Sequence, residues 1–187
     1  MPANYRQLLA AFEAKPKNIR DYFDDFPKLV EEHDWEVPVS YVFLRIERVK
    51  HTTLYVGIRR LHRADAAMTW DALNKDHMSR GRFRDLFKIV FGAPIDPAIL
   101  DKLAAGEKMR DGVVHGKNVS DAAMRTGLRD AFDFCDAFDQ FVERTGGFRP
   151  FGELRGFVGR GKPLSKETTH WVLRGMGIPA KLASQAT

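Results

Sequence analysis

Apolar residues recur along most of this chain at the spacing of an α-helix, and nowhere do they alternate strictly as in a strand. The clearest early case runs from Pro38 to about Ala64, and Pro38 suits the first turn of a helix. Its apolar face is predicted to enter the core and consists of Phe43, Ile46, Leu54, Ile58 and Leu61. The opposite side carries a mostly basic stripe of Arg48, Thr52, Arg59 and Arg63.

A second long helix is predicted from a cap at Ser120 to Arg144, with a stop at Gly146–Gly147. One row of its residues alternates spacings of four and three, as in the seam of a helical bundle. That row contains Met124, Leu128, Ala131, Cys135, Phe138 and Val142. Phe134 and Phe141 lie on another stripe, which packs into the same core or against a second subunit.

Helix start and stop signals divide the rest of the chain. Asp96 can cap free backbone N–H groups, Pro97 fits the first helical position, and Gly116 suits a left-handed stop near His115. The further helices are predicted at 4–14, 17–33, 79–91, 96–115 and 165–174, with a looser segment after Ala64. The expected fold is therefore an all-α antiparallel bundle. We divide it into N-terminal helices (1–37), a central bundle (38–147) and a short basic, Gly-rich C-terminal extension ending in a small helix (148–187).

Charge distinguishes the C-terminal extension from the remainder of the chain. The net charge is +5, and residues 148–187 alone contain seven Lys or Arg against two acidic residues. Residues 1–147 hold 23 of each sign. A basic extension favours a polyanionic partner such as RNA, DNA or an acidic protein surface, although a solvated tail that aids solubility explains the charge about equally well.

The composition also excludes several classes of protein. A lone cysteine, Cys135, excludes an internal disulfide framework and a cysteine-based zinc cage, and we expect neither a metal nor a cofactor. Met1 to Ala14 lacks the pattern of a secretory signal, because Arg6 and Glu13 flank only a short apolar patch. No stretch approaches the roughly 18 apolar residues of a membrane helix. A cytoplasmic protein without membrane partners is expected.

One segment concentrates groups that can do chemistry. Glu107 to Lys117 places Arg110, Asp111 and His115 at the end of a predicted helix. The histidine comes five positions after the arginine, so the two side chains would point roughly 140° apart on a regular helix. They converge only if the helix loosens near the histidine, where glycines at 112 and 116 make this credible, or if a second subunit completes the site.

This segment resembles the Arg-x4–6-His motif of the HEPN superfamily, whose members are small helical bundles. The similarity rests on MetArgAspGlyValValHisGlyLys at the end of a helix, followed by another long helix, and covers roughly residues 38–145. The resemblance implies a homodimer in which two motifs face one cleft. It also implies an RNA-directed function, as in the metal-independent ribonucleases of toxin or phage-defence systems, with a partner protein or antitoxin as a further expectation.

The chemistry of the motif suits RNA, which carries its own nucleophile in the 2′-hydroxyl group. His115 can exchange protons at neutral pH, and Arg110 can bind a phosphate through paired hydrogen bonds. Asp111 would orient them, with Glu107 holding Arg110 from one turn earlier. Some toxin-type members carry a Tyr two positions after the histidine as an acceptor for nucleotide modification. Lys117 stands there in this chain, a supporting cation at most, so such regulation is not expected.

Two alternatives stay open from the sequence. The Arg–Asp–His cluster could be a capping and salt-bridge arrangement in a non-catalytic interaction module that binds a protein or nucleic acid. The basic extension could contact nucleic acid through Arg149, Arg155, Arg160 and Lys162. Its aromatic residues, Phe148, Phe151 and Phe157, would stack on bases or, the interpretation we favour, dock the tail against the bundle.

Overall fold

The computed structural model of the chain describes residues 5–154 and 161–182, and these fold into helices without any strand, which confirms the all-α prediction. The helices, in chain order, are α1 (Tyr5–Glu13), α2 (Lys17–Tyr22), α3 (Phe26–Glu32), α4 (Glu36–His62), α5 (Ala66–Lys75), α6 (Arg80–Phe91), α7 (Pro97–Val114), α8 (Asp121–Gly146) and α9 (Lys166–Gly175).

The caps predicted at Asp96 and Ser120 are confirmed, and the Ser120 side chain accepts a hydrogen bond from the backbone N–H of Ala123 at 3.3 Å. The Asp96 side chain accepts a hydrogen bond from the backbone N–H of Ala98, with proline at the first position of α7. Ser79 and Ser165 do the same for α6 and α9 by accepting from backbone N–H groups three residues later. Each side-chain oxygen satisfies an N–H group that has no partner inside its helix.

Three predictions in the first part of the chain were wrong. Residues 17–33 form two helices, because Pro27 has no N–H with which to continue α2 and instead fits the first turn of α3. The segment after Ala64 is not loose but forms α5, and the side chain of Asp65 caps it by accepting from the backbone N–H of Met68. Leu61, expected in the core, is 43% exposed.

The chain divides into two compact units. Unit 1 comprises Met1–Val49, Asp96–Arg144 and Arg149–Glu153. Unit 2 comprises Lys50–Ile95, Thr145–Phe148 and Leu154–Thr187. The long helix α4 contributes residues 36–49 to the first unit and residues 50–62 to the second.

The core of unit 1 is rich in aromatic side chains. Phe132 of α8 lies against Phe12, Phe23 and Phe26, with ring centroids 4.8 to 5.4 Å apart in tilted or edge-on arrangements. Such pairs stabilise a core beyond the area they bury. The predicted seam of α8 is buried along its whole length, which confirms the bundle-type spacing seen in the sequence. Cys135 is buried within that seam.

In unit 2, the rings of Phe87 and Phe91 on α6 stack with their centroids 4.2 Å apart. Phe91 also approaches α4 so closely that a Cβ atom added at Gly57 would lie 2.5 Å from its ring. Phe148 is 8% exposed in this unit, and Phe151 is 4% exposed in the other. Both side chains are therefore docked, as favoured from the sequence, whereas Phe157 lies outside the described residues.

Candidate functional site

The end of α7, in unit 1, turns sharply at the predicted motif. The backbone N–H of Gly116 donates to the carbonyl of Val113, and that of Lys117 donates to the carbonyl of Gly112. Together with a φ of 66° at Gly116, these bonds define a Schellman stop, which satisfies carbonyl groups that a helix end leaves free. His115 occupies the cap position immediately before the left-handed residue.

Two glycines bring α7 into backbone contact with α8 just before the motif. A Cβ atom added at Gly106 would lie 3.0 Å from the carbonyl oxygen of Gly127 and 3.0 Å from the ring of Phe43. Likewise, a Cβ atom added at Gly127 would clash with the Met109 side chain. This close crossing fixes the position of α7 one turn before Arg110.

The Arg110 side chain extends toward α4. Its guanidinium carbon lies 5.9 Å from the centre of the Phe43 ring, in the range of a cation–π contact. One terminal nitrogen lies 3.9 Å from a Glu47 carboxylate oxygen, and Nε lies 3.4 Å from Asp111. The side chain is 26% exposed, and among the described residues no acceptor forms a hydrogen bond with the buried Nε. The ion pairs are thus loose, and part of the donor capacity of Arg110 is not used.

The other residues of the motif differ sharply in exposure. His115 and Lys117 are exposed, whereas Glu107 is only 6% exposed. Within the described part of the chain, no side chain pairs with the His115 imidazole. Its ring can therefore exchange protons with water or with a bound molecule at the surface.

A single chain brings only part of the predicted site together. Arg110 and Asp111 are in contact, but α7 stays helical through Gly112 and Val114. Gly112 allows Val119 to approach α7 closely, since a Cβ atom added at Gly112 would lie 2.9 Å from the Val119 side chain. Because the helix departs from regular geometry only at His115, the roughly 140° offset between Arg110 and His115 persists over most of the motif.

The predicted cations of the C-terminal extension are in different surroundings. Arg149 donates to Asp139 at 3.2 Å and to Glu143 at 2.6 Å. Burial raises the pKa of the Asp139 carboxyl, although hydrogen bonds from Asn18 and the backbone N–H of Phe151, together with the charge of Arg149, act in the opposite direction. Nucleic acid would have to compete with two carboxylates for this arginine. Lys162 is exposed. Arg155 and Arg160 lie outside the described residues.

The residues that position Arg110 were not predicted from the sequence. Glu47 and Phe43 lie more than 60 positions earlier in the chain, and no spacing rule connects them to the motif. The glycines of the helix crossing did give a signal, because an isolated glycine inside a helical pattern marks a close approach. Gly106 and Gly127 each stand in such a pattern.

Within residues 5–154 and 161–182, no group of three or more His, Cys, Asp or Glu side chains is arranged to hold a metal ion. Over the same residues, no helix has the length and apolar character needed to cross a membrane. Comparison with protein families, with characterised proteins and with solved structures finds no match for this chain. For this chain, a function can therefore be inferred only from the motif and its geometry.

Proposed function

We propose that this protein is an RNA-directed, HEPN-like helical protein that cleaves RNA without a metal ion, using the motif at the end of α7. The observation that carries the proposal is the pairing of a loosely held, half-buried Arg110 with an exposed His115 at a sharp helix end. Phosphodiester cleavage by a 2′-hydroxyl group requires a cation that can bind the phosphate and an accessible proton carrier, and the motif supplies both groups.

In this reaction His115 takes the proton of the 2′-hydroxyl or delivers one to the leaving 5′-oxygen. The attacking oxygen forms a new bond to phosphorus as the bond to the 5′-oxygen breaks, which leaves a cyclic phosphate and a free hydroxyl. Arg110 stabilises the negative charge that develops on the phosphate oxygens. Its present partners lie at 3.4 and 3.9 Å, longer than a charge-assisted hydrogen bond of about 2.8 Å, so a phosphate can replace them.

The proposal includes a second copy of the chain that completes the site. Leu44 lies one turn before Glu47 on α4 and is 72% exposed, and Val114 lies one turn after Arg110 on α7 and is 61% exposed. Leu44 and Val114 are therefore exposed apolar side chains, each about one turn of helix from the contact between Glu47 and Arg110. A two-fold dimer that covers both residues would bring His115 of one copy toward Arg110 of the other.

Cleavage of total RNA in EDTA tests the proposal. We expect wild-type protein to cut, and His115→Ala to lose about 100-fold or more of the rate, the usual contribution of a general acid or base. Lys108→Ala is the matched control, because it changes an exposed residue of the same helix outside the motif. Circular dichroism and light scattering are used to check that the three proteins are equally folded and have the same oligomeric state. A folded wild-type dimer that leaves the RNA intact would overturn the proposal.

One observation favours a second candidate, a non-catalytic interaction module. Unit 1 contains 15 Lys or Arg and 20 Asp or Glu, a net charge of 15 − 20 = −5, and two of its carboxylates flank Arg110. In that case the ion pairs of Arg110 only hold α7 on α4, and unit 1 binds a partner protein. The same RNA assay separates the two functions, since the module binds its partner without cutting.

A further inference from the structure

A surface cavity of about 140 Å³ lies between α1 and α8 in unit 1. Its polar lining groups can all donate hydrogen bonds, since they are two guanidinium groups, a hydroxyl and a side-chain amide. The lining residues are Gln7, Leu8, Ala122, Arg125, Thr126 and Arg129. No carboxylate is among these described residues, although unit 1 as a whole is at −5. Most of the positive charge belongs to unit 2, with 15 Lys or Arg against 5 Asp or Glu, or 15 − 5 = +10. The cavity is thus a local concentration of positive charge in an acidic unit.

Helix α8 places the two arginines on its side away from α7. Arg125 and Arg129 are four residues apart, so their Cβ atoms leave one face of the helix about 5–6 Å from each other. Gly127 faces α7, because a Cβ atom added there would lie 3.5 Å from the Cα atom of Gly106. Each arginine is two positions from Gly127, a rotation of about 200° around the helix axis. The width of α8 therefore separates the cavity from the motif at the end of α7.

The two arginines differ in what holds them. The guanidinium carbon of Arg125 lies 5.8 Å from the centre of the Trp35 ring, which is only 2% exposed. This cation–π contact orders the side chain before a ligand arrives, and less conformational entropy is then lost on binding. Arg129 is exposed, and within the described part of the chain it forms no hydrogen bond or ion pair. Its donors are therefore available to a ligand.

Carboxylates close to Arg129 in sequence do not occupy the cavity. Asp133, one turn later on α8, forms an ion pair with Lys15 of the segment after α1. Burial raises the pKa of the Asp130 carboxyl, and the charge of Asp133 adds to this, whereas the charges of Arg129 and Lys102 act in the opposite direction. Neither carboxylate lines the cavity. An anion that enters it therefore meets hydrogen-bond donors without an acidic side chain among them.

We propose that this cavity binds a phosphate group, either as the free ion or as the phosphate of a phosphomonoester. The planar guanidinium groups of Arg125 and Arg129 can each donate paired hydrogen bonds to phosphate oxygens. The Thr126 hydroxyl and the Gln7 amide donate to the oxygens that remain. A carboxylate has only two oxygens and would leave part of these donors unpaired. The site uses neither residue of the proposed cleavage reaction, so it does not depend on that function.

Isothermal titration calorimetry at constant ionic strength tests the site with two probes, inorganic phosphate and ribose 5-phosphate. Every protein carries Arg110→Gln, so that phosphate bound at the proposed cleavage motif does not contribute. We expect this background protein to bind phosphate with a dissociation constant of about 1 mM or below. Adding Arg129→Gln should weaken binding about tenfold or more, the usual contribution of a hydrogen bond between charged groups. Equal affinities for the two probes identify the free ion as the ligand, and tighter binding of ribose 5-phosphate identifies a phosphomonoester.

The matched control is Arg144→Gln, which removes the same charge from an exposed position of α8 outside the cavity. It should bind as the background protein does. Arg125→Lys keeps the charge but lacks the planar pair of donors, so it should bind phosphate more weakly than the background protein. Circular dichroism is used to check that every variant is folded.

Three results would overturn the proposal. The first is no binding of either probe by the folded background protein, at two temperatures and up to about 10 mM probe. The second is equal affinity of the Arg129→Gln and Arg144→Gln proteins. The third is binding of ribose as tight as that of ribose 5-phosphate, because the sugar would then be recognised instead of the phosphate.

The phosphate site and the proposed cleavage reaction fail in distinguishable ways. If the background protein binds phosphate through Arg129 but wild-type protein never cuts RNA, the site stands and the cleavage proposal falls. If His115-dependent cleavage occurs and the background protein binds neither probe, the cleavage proposal stands and the site falls.

Discussion

Two helices, α7 of unit 1 and α6 of unit 2, differ in how they use glycine and charge. In unit 1, Gly106 and Gly127 let α7 lie directly on α8, and the net charge is negative. In unit 2, Gly81 of α6 has open space around it, and the same helix displays a row of cations, Arg80, Arg84 and Lys88. Helix α7 is therefore held by close packing against α8, while α6 presents charge on an open helical surface.

Under the proposed function, this difference would divide the work between the two units. Proton transfer needs groups held in place, and the close crossing of α7 and α8 holds the turn before Arg110. Electrostatic attachment to a long polyanion needs many cations rather than exact placement, and unit 2 supplies them. The predictions below test each side of this comparison.

The largest effect is expected from Gly106→Val. The added side chain would clash with the backbone carbonyl of Gly127 and the ring of Phe43, neither of which can move without displacing a helix. Overpacking of this kind costs about 1–3 kcal/mol. Urea denaturation followed by circular dichroism measures the loss. An unchanged free energy of unfolding would mean that the crossing does not fix α7.

The pH dependence of stability tests the buried carboxylate of unit 1. Because burial raises the pKa of Asp139 in the folded state, its contribution to stability is fully present below the ordinary value of 3.8. It is lost as pH rises through the raised value. Asp139→Asn removes this titration, so wild type should lose stability relative to the variant between acid and neutral pH. The denaturation midpoints of both proteins are measured across that pH range. Parallel plots of midpoint against pH would contradict the prediction.

Gly81→Ala is the counterpart of the Gly106 variant in unit 2. Nothing lies within 4 Å of an added Cβ atom at this position, and its φ is not in the left-handed region. Alanine reduces the conformational entropy of the unfolded chain and should stabilise the protein by about 0.4–1 kcal/mol. Thermal denaturation detects the rise in Tm. A destabilised variant would show that α6 is not as open as described.

The smallest effect is expected from Glu47→Gln. Its ion pair with Arg110 is 3.9 Å long and joins side chains that are 39% and 26% exposed. Screened pairs of this kind contribute about 0.2–1 kcal/mol. Chemical denaturation should therefore place the variant within that range of wild type. A much larger loss would indicate that the pair is structural and would favour the interaction module over the RNase.

Helix positions and the α8 seam were predictable from the sequence because local signals determine them. The Asp96–Pro97 start and the Gly116 stop of α7 need only neighbouring residues. The break before Pro27 and the Asp65 cap of α5 had equally local signals, and both were missed. The surroundings of Arg110 were not predictable, since Glu47 and Phe43 reach it only through the packing of α4 on α7. The row of cations on α6 was visible in the sequence. It was overlooked because the charges of residues 1–147 were added together and cancel.

Mixing two inactive variants tests the central claim most directly. Arg110→Ala and His115→Ala are each expected to lose RNA cleavage, and a heterodimer of the two retains one site with both groups if the copies complete each other. After subunit exchange, an equal mixture should recover about a quarter of wild-type activity, because half of the dimers are mixed and each has one complete site. Recovery would establish a shared RNA-cleaving site. No recovery, from variants shown to exchange and from an active wild type, would contradict the account.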